Sequence, residues 1–208
     1  MAIRINGTDR QSTINQSSGS PIGTHHLAAN TNLYEIQRTN NFEFIVTDID
    51  GIMKAGMVGG EAFGTIDNAQ EIIRLSVVSS SIPHFKQDAI QVKRGNNTMK
   101  FAGVPTFDAG KLKLNDFIGA ATKEVLMAWQ NLSYNVLTEK VGLASDYKKD
   151  CYLVEYTPDY QKVRQWKMHG CWISELSEDE FNHESNEGKK IDVTIEYDRA
   201  EIDTSEVL

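Results

Sequence analysis

Cysteine is scarce in this chain of 208 residues. There are two, Cys151 and Cys171, with no CxxC spacing and no second pair. That excludes a disulfide-dense secreted scaffold. It also leaves zinc without a ligand set, because His25, His26 and His169 stand at no metal-site spacing. The expected state is two half-buried thiols in strands, and the sequence leaves their pairing open. Long apolar runs are missing too. The longest, such as 125–129, fall far short of the roughly 20 residues of a membrane helix. Met1-Ala2-Ile3-Arg4 leads into polar sequence without a hydrophobic h-region, so no secretion signal and no membrane contact are expected. No serine lies in a GxSxG setting, and no glycine-rich loop has P-loop or dinucleotide spacing. No cofactor site, metal site or catalytic residue is therefore expected.

Basic charge is the next absence. The formal net charge is −8, and residues 175–208 hold twelve acids against three bases. The first 174 residues are close to neutral. An acidic chain with no basic stripe in its sequence is a poor specific nucleic-acid binder.

What is present is strand pattern. Residues 1–40 are rich in Asn, Ser, Thr, Gln and Gly and lack sustained periodicity, which predicts an extended arm. From residue 41, Phe42, Phe44 and Val46 alternate with Glu43, Ile45 and Thr47, a strand. Residues 72–78 read as a second strand. Residues 90–94 and 99–102 flank Gly95-Asn96-Asn97, a hairpin turn suited to positive φ. Residues 110–114 alternate Lys111 and Lys113 with Leu112 and Leu114. One helix is expected after Asn115 or Asp116, with Phe117, Ala121, Val125, Ala128, Trp129 and Leu132 on one stripe. Residues 133–150 read as a polar insertion or loop. Strands return at 151–156, 163–169 and 172–173. Residues 190–198 are the clearest strand, with Ile191, Val193, Ile195 and Tyr197 facing one way and Asp192, Thr194, Glu196 and Asp198 the other. An acidic tail, 199–208, follows. The expected class is mainly β: a two-sheet antiparallel sandwich over 41–198 with one flanking α-helix.

One stretch points to chemistry. Phe44-Ile-Val-Thr-Asp48-Ile-Asp50-Gly51 resembles the first motif of haloacid-dehalogenase-type phosphatases. There the first Asp attacks phosphorus and the second moves a proton, roles that would fall to Asp48 and Asp50. That family needs alternating strands and helices and a later acidic motif for Mg²⁺. This chain offers neither, and Ile52 stands where Thr or Val is usual. The stretch reads instead as a strand followed by a turn at Asp50-Gly51.

The order of elements resembles another family. The opening strand of 41–46 runs on into Asp50-Gly51. Ile90-Gln-Val-Lys-Arg-Gly-Asn-Asn-Thr-Met-Lys-Phe-Ala-Gly103 leads to Pro105, a Leu-Lys-Leu strand and a helix containing Ala128-Trp129. Trp166-Lys-Met-His-Gly-Cys-Trp172 precedes a final strand ending at Tyr197. Together these resemble the tail tube proteins of tailed bacteriophages over residues 42–198. The resemblance implies six copies in a ring, strands joined into an inner β-barrel, and rings stacked into a hollow tube that conducts DNA without specific binding. It implies tail sheath, tape measure, baseplate and tail terminator proteins as partners, and a place in the virion tail after assembly in the host cytoplasm. It would make Asp192, Thr194 and Glu196 a luminal face. An Hcp-like secretion or contractile-injection tube subunit is the alternative.

Overall fold

Alternating β-branched and aromatic residues put most of this chain into strands. The computed structural model describes residues 36–49, 57–58, 61–62, 68–119, 121–184 and 186–203. Strand makes up 52% and helix 17%, and all strand pairing is antiparallel. The first strands are β1 (Phe42–Val46), β2 (Met57–Val58), β3 (Glu61–Ala62) and β4 (Val77–Ser80). The middle of the chain gives β5 (Phe85–Arg94), β6 (Asn97–Phe107), β7 (Gly110–Asn115), β8 (Tyr134–Asn135) and β9 (Lys140–Val141). The last are β10 (Lys149–Tyr156), β11 (Lys162–Glu178), β12 (Lys190–Glu196) and β13 (Arg199–Asp203). Helices are α1 (Ala69–Ser76), α2 (Thr122–Ser133) and α3 (Ala144–Tyr147).

Seven strands share one network in the order β1–β10–β11–β12–β7–β4, with β13 added at β11. The 17-residue β11 organises it. Its first half pairs with β10 on one side and β13 on the other, and its second half pairs with β12. Gly170 stands at the changeover with φ of +66°, a left-handed value that costs other residues energy. A Cβ there would lie 2.3 Å from Oδ2 of Asp198, so glycine is favoured on both counts.

The two wings and the helices bury one core. β12 supplies Ile191, Val193 and Ile195, opposite Leu114, Leu112 and Gly110 of β7. Each buried Val, Leu or Ile stabilises by about 1.5–3 kcal/mol relative to exposure. Tyr197 completes the stripe, so the alternation expected of this strand holds, although the strand itself ends at Glu196. Helix α2 adds Val125, Leu126, Ala128 and Trp129. The Trp129 indole N–H donates to the Tyr147 carbonyl at 2.9 Å, which ties α3 to α2. Ser76 and Thr122 are buried and face one another at 3.1 Å, joining α1 to α2 without an unsatisfied hydroxyl.

Four expectations are corrected. Of the strand expected at 72–78, residues 72–76 are helical instead, because Ala69, Ile73 and Ser76 recur at helical spacing and all three are buried; only Val77 and Val78 are strand, at the start of β4. The single-helix expectation falls with it, since three helices stand among the described residues. The long helix starts later than Asp116. Ala121, at φ of +52°, precedes its first turn, and Phe117 and Ile118 lie exposed outside it. Finally, the acidic segment after Asp198 is not all tail, because 199–203 form β13 on the open side of β11. The 133–150 insertion folds as a small β8–β9 ladder followed by α3. Of the arm, 1–40, residues 1–35 lie outside the described residues.

Candidate assembly surface

Among the described residues, the suspected phosphatase motif builds no site. Asp48 ends β1 in a left-handed turn, at φ of +54°, and its carboxylate meets Lys149 Nζ at 3.1 Å on the surface. Asp50 and Gly51 lie outside the described residues. Among the described residues no group of His, Cys, Asp or Glu is arranged to hold a metal ion. His84 pairs with Asp108, and His169 sits between Asp150 and Glu201 at 3.4 and 3.0 Å. These are ion-pair positions with no nucleophile among the groups they touch. Cys151 and Cys171 are free thiols, fully buried where β10 meets β11. Burial pushes the Cys151 thiol well above its ordinary range, and the neighbouring Cys171 adds to the shift.

The expected acidic face is not uniformly acidic. Asp192 does point outward from β12, but the cross-strand Lys113 meets it at 3.3 Å, and Lys111 stands opposite Thr194. The basic residues of β7 therefore offset the acids of β12.

The longest exposed structure among the described residues is the β5–β6 hairpin. The strands are ten and eleven residues long. At about 3.4 Å per residue each spans more than 30 Å. Every residue of β5 is exposed. Its turn, Gly95-Asn96, carries positive φ at the first central position, as type II′ geometry requires. The root is fixed: the Phe107 ring packs at 5.8 Å from Phe85 and at 6.0 Å from Tyr197 at the end of the buried stripe. Lys86 Nζ reaches Asp108 at 2.9 Å, and its hydrogen bond holds the Asp108 carboxyl below the usual range.

Beyond this root the hairpin has two unlike faces. The register opposes Ile90 to Phe101 and Val92 to Met99 on one face, and Gln91 to Lys100 and Lys93 to Thr98 on the other. Those four apolar side chains are each about half exposed, at 46–55%. A contiguous apolar face of this kind marks an interaction surface. The sequence showed the turn but not this exposure, since alternation alone predicts burial. The signal available was the long regular pairing with no second apolar segment nearby to cover it.

Free edges complete the surface. β1 and β4 end the seven-stranded network, and a groove of about 630 Å³ lies between them. Its lining includes Phe42, Val77, Val78 and Ile82. Unpaired edges and an uncovered hairpin are templates for pairing with another chain.

Such an architecture defines a structural subunit whose chemistry is association. Comparison with known families identifies which one. The model of the T4-like virus tail tube protein gp19 matches residues 40–201, and the chain belongs to that family. It is a family of structural tube proteins, not of enzymes, in agreement with the sequence reading. No curated protein matches the chain. Among solved structures, the tube-terminating cap of the anti-feeding prophage superposes with a TM-score of 0.60 at 17% identity, over 91% of this chain and 99% of that one. A chain of the PVC sheath–tube complex, from an extracellular contractile injection system in the extended state, gives 0.59 at 17% identity, over 88% and 99%. A chain of the PVC sheath/tube terminator gives 0.58 at 19% identity, over 82% and 98%. The protein is thus a tube structural subunit, with the fold of these injection-system components.

Proposed function

We propose that six copies of this chain form a ring and that rings stack into the hollow tail tube of a bacteriophage. The carrying observation is the β5–β6 hairpin, which is regular, rooted in the core and covered by nothing among the described residues of its own chain. Hairpins of neighbouring copies pair edge to edge into a closed barrel, which removes their open edges. The apolar hairpin face then lies against a neighbouring copy, and the body behind it acts as a two-sheet sandwich. The bore conducts DNA during ejection. The arm of residues 1–40 reaches the next ring, and the insertion at 133–150 and the acidic end of the chain lie outside the minimal tube body. Sheath, tape measure, baseplate and tail terminator proteins are the partners; the structural neighbours come from assemblies with a sheath, a terminator, a cap and a baseplate. The protein resides in the virion tail after assembly in the host cytoplasm.

The test is negative-stain microscopy of the purified chain beside the Ile90→Lys/Phe101→Lys variant. Both positions are exposed, so the variant keeps the wild-type circular dichroism and melting temperature. Wild-type protein forms rings or tubes and the variant does not. Rings of normal appearance from the variant defeat the hairpin reading, and a wild-type chain that stays monomeric at high concentration defeats the tube reading.

A further inference from the structure

The hairpin's charge is as uneven as its hydropathy. Residues 89–102 contain Lys93, Arg94 and Lys100 and no Asp or Glu, in a chain of net charge −8. None of the three has an ionic partner among the described residues. Many lysines of the body do meet a carboxylate, among them Lys113, Lys123, Lys148, Lys149 and Lys189, as does Lys86 at the hairpin's root. Three cations without an ionic partner thus stand near the tip of the exposed hairpin, two of them on one face.

The register separates two of these cations from the apolar surface, whereas Arg94, opposite Asn97 at the turn, stands on the side of Ile90 and Val92. Lys93 and Lys100 share their face with Gln91 and Thr98, while Ile90, Val92, Met99 and Phe101 hold the other. Lys93 and Lys100 are diagonal neighbours across the ladder, about 7–8 Å apart by strand geometry. Where these faces point in an assembly rests on the tube reading. In a closed barrel of hairpins, one face turns toward the surrounding bodies and the other toward the axis. The apolar face goes to the bodies, because water on it forfeits roughly 25 cal/mol for each Å² left exposed. The lysine face goes to the bore.

We propose that the Lys93–Lys100 face of the hairpin lines the bore and contacts the phosphate backbone of duplex DNA. The chemistry of the face selects that cargo. It has point charges and small polar groups, with no aromatic and no apolar anchor of the kind that grips a polypeptide. Lysines that neutralise phosphates bind without sequence preference, and such contacts permit sliding along the duplex. A cationic lining is thus compatible with passage. It reverses the sign expected from Asp192 and Glu196, and it gives the bore a salt-dependent hold on DNA. The hold is repeated in every copy, so it sums along the tube while each contact stays weak.

Assembled tubes of the full chain provide the test. Wild-type tubes and tubes of the Lys93→Gln/Lys100→Gln variant are titrated with a short labelled duplex DNA at several salt concentrations. The variant is expected to form the same tubes by microscopy. It is expected to bind at least tenfold more weakly at low salt, with a log–log salt slope shallower by about 0.9 for each phosphate that is no longer neutralised. A second variant locates the face. In Lys100→Cys tubes a small maleimide should label the new thiol, and a polymer-linked maleimide too bulky for the bore should label only tube ends. Cys151 and Cys171 are buried and stay silent. Equal DNA binding by the glutamine variant, or full labelling of intact tubes by the bulky reagent, overturns the inference and leaves the tube reading standing. Poly-glutamate bound as tightly as DNA overturns the cargo assignment. Failure of the wild-type chain to form rings is the distinct result that removes the tube reading itself.

Discussion

Replacing Gly170 with alanine tests whether the changeover in β11 depends on a residue without a side chain. Two costs are visible. The first is conformational: φ of +66° places an alanine in the left-handed region, at about 1–2 kcal/mol. The second is steric. The new Cβ would stand 2.3 Å from Oδ2 of Asp198, far inside van der Waals distance. The carboxylate can retreat, but it is held by Lys148 Nζ at 2.7 and 2.8 Å. Breaking that exposed pair adds no more than about 1 kcal/mol. The total is roughly 1–3 kcal/mol, which lowers the melting temperature by roughly 2–12 °C in a chain of this size. Thermal melts by circular dichroism and urea titrations measure it, with the urea slope unchanged. The background Asp198→Ala separates the costs. There the clash is relieved and only the conformational part, about 1–2 kcal/mol, should remain. An alanine variant as stable as wild type refutes the left-handed assignment. An undiminished loss of stability in the Asp198→Ala background refutes the clash.

Two further outcomes follow from the buried and paired groups. Cys151 and Cys171 should resist a thiol reagent in the native protein and react on unfolding, since both are fully buried and the Cys151 thiol is pushed up; rapid labelling of the native protein contradicts the packing at β10 and β11. Glu178 lies between Lys123 and Lys189, whose hydrogen bonds hold its carboxyl below the ordinary 4.5. A depressed carboxylate contributes its stability in full above the unfolded value and loses it as pH falls from there through the folded value. The melting-temperature gap between wild type and Glu178→Gln should therefore close in acid, and a gap independent of pH shows that the ion contacts contribute nothing.

Legibility in the sequence followed burial. Strand β12 was readable because one face is packed and the other wet, so Ile191, Val193 and Ile195 leave a clean period of two. The β5–β6 turn was readable from Gly95-Asn96, but the length of the hairpin was not, because neither face is covered and a bulge near Asp88 breaks the alternation. Helix α1 was hidden by its composition. Ile72, Ile73, Leu75, Val77 and Val78 resemble a strand run, and only tertiary packing puts Ile73 inward and leaves Leu75 exposed. Strand β13 was masked by its charges, which suit an edge against β11. The family was legible from the order of elements. The assembly surface was not, because the same alternation marks an apolar face whether its cover comes from its own chain or from another.

The sharing of β11 between two ladders has a consequence for cooperativity. Its residues pair with β10 and β13 up to Gly170, with Cys171 still opposite Lys149 of β10, and with β12 from Trp172 on, so neither ladder can come apart while β11 stays native. The body should behave as one foldon, with amide hydrogens on both halves of β11 exchanging only through global opening. The β5–β6 hairpin touches that unit mainly through Phe107 and Tyr197. Beyond that root its amide hydrogens should exchange by local opening, so the element exposed for association is expected to open without the part that carries the fold.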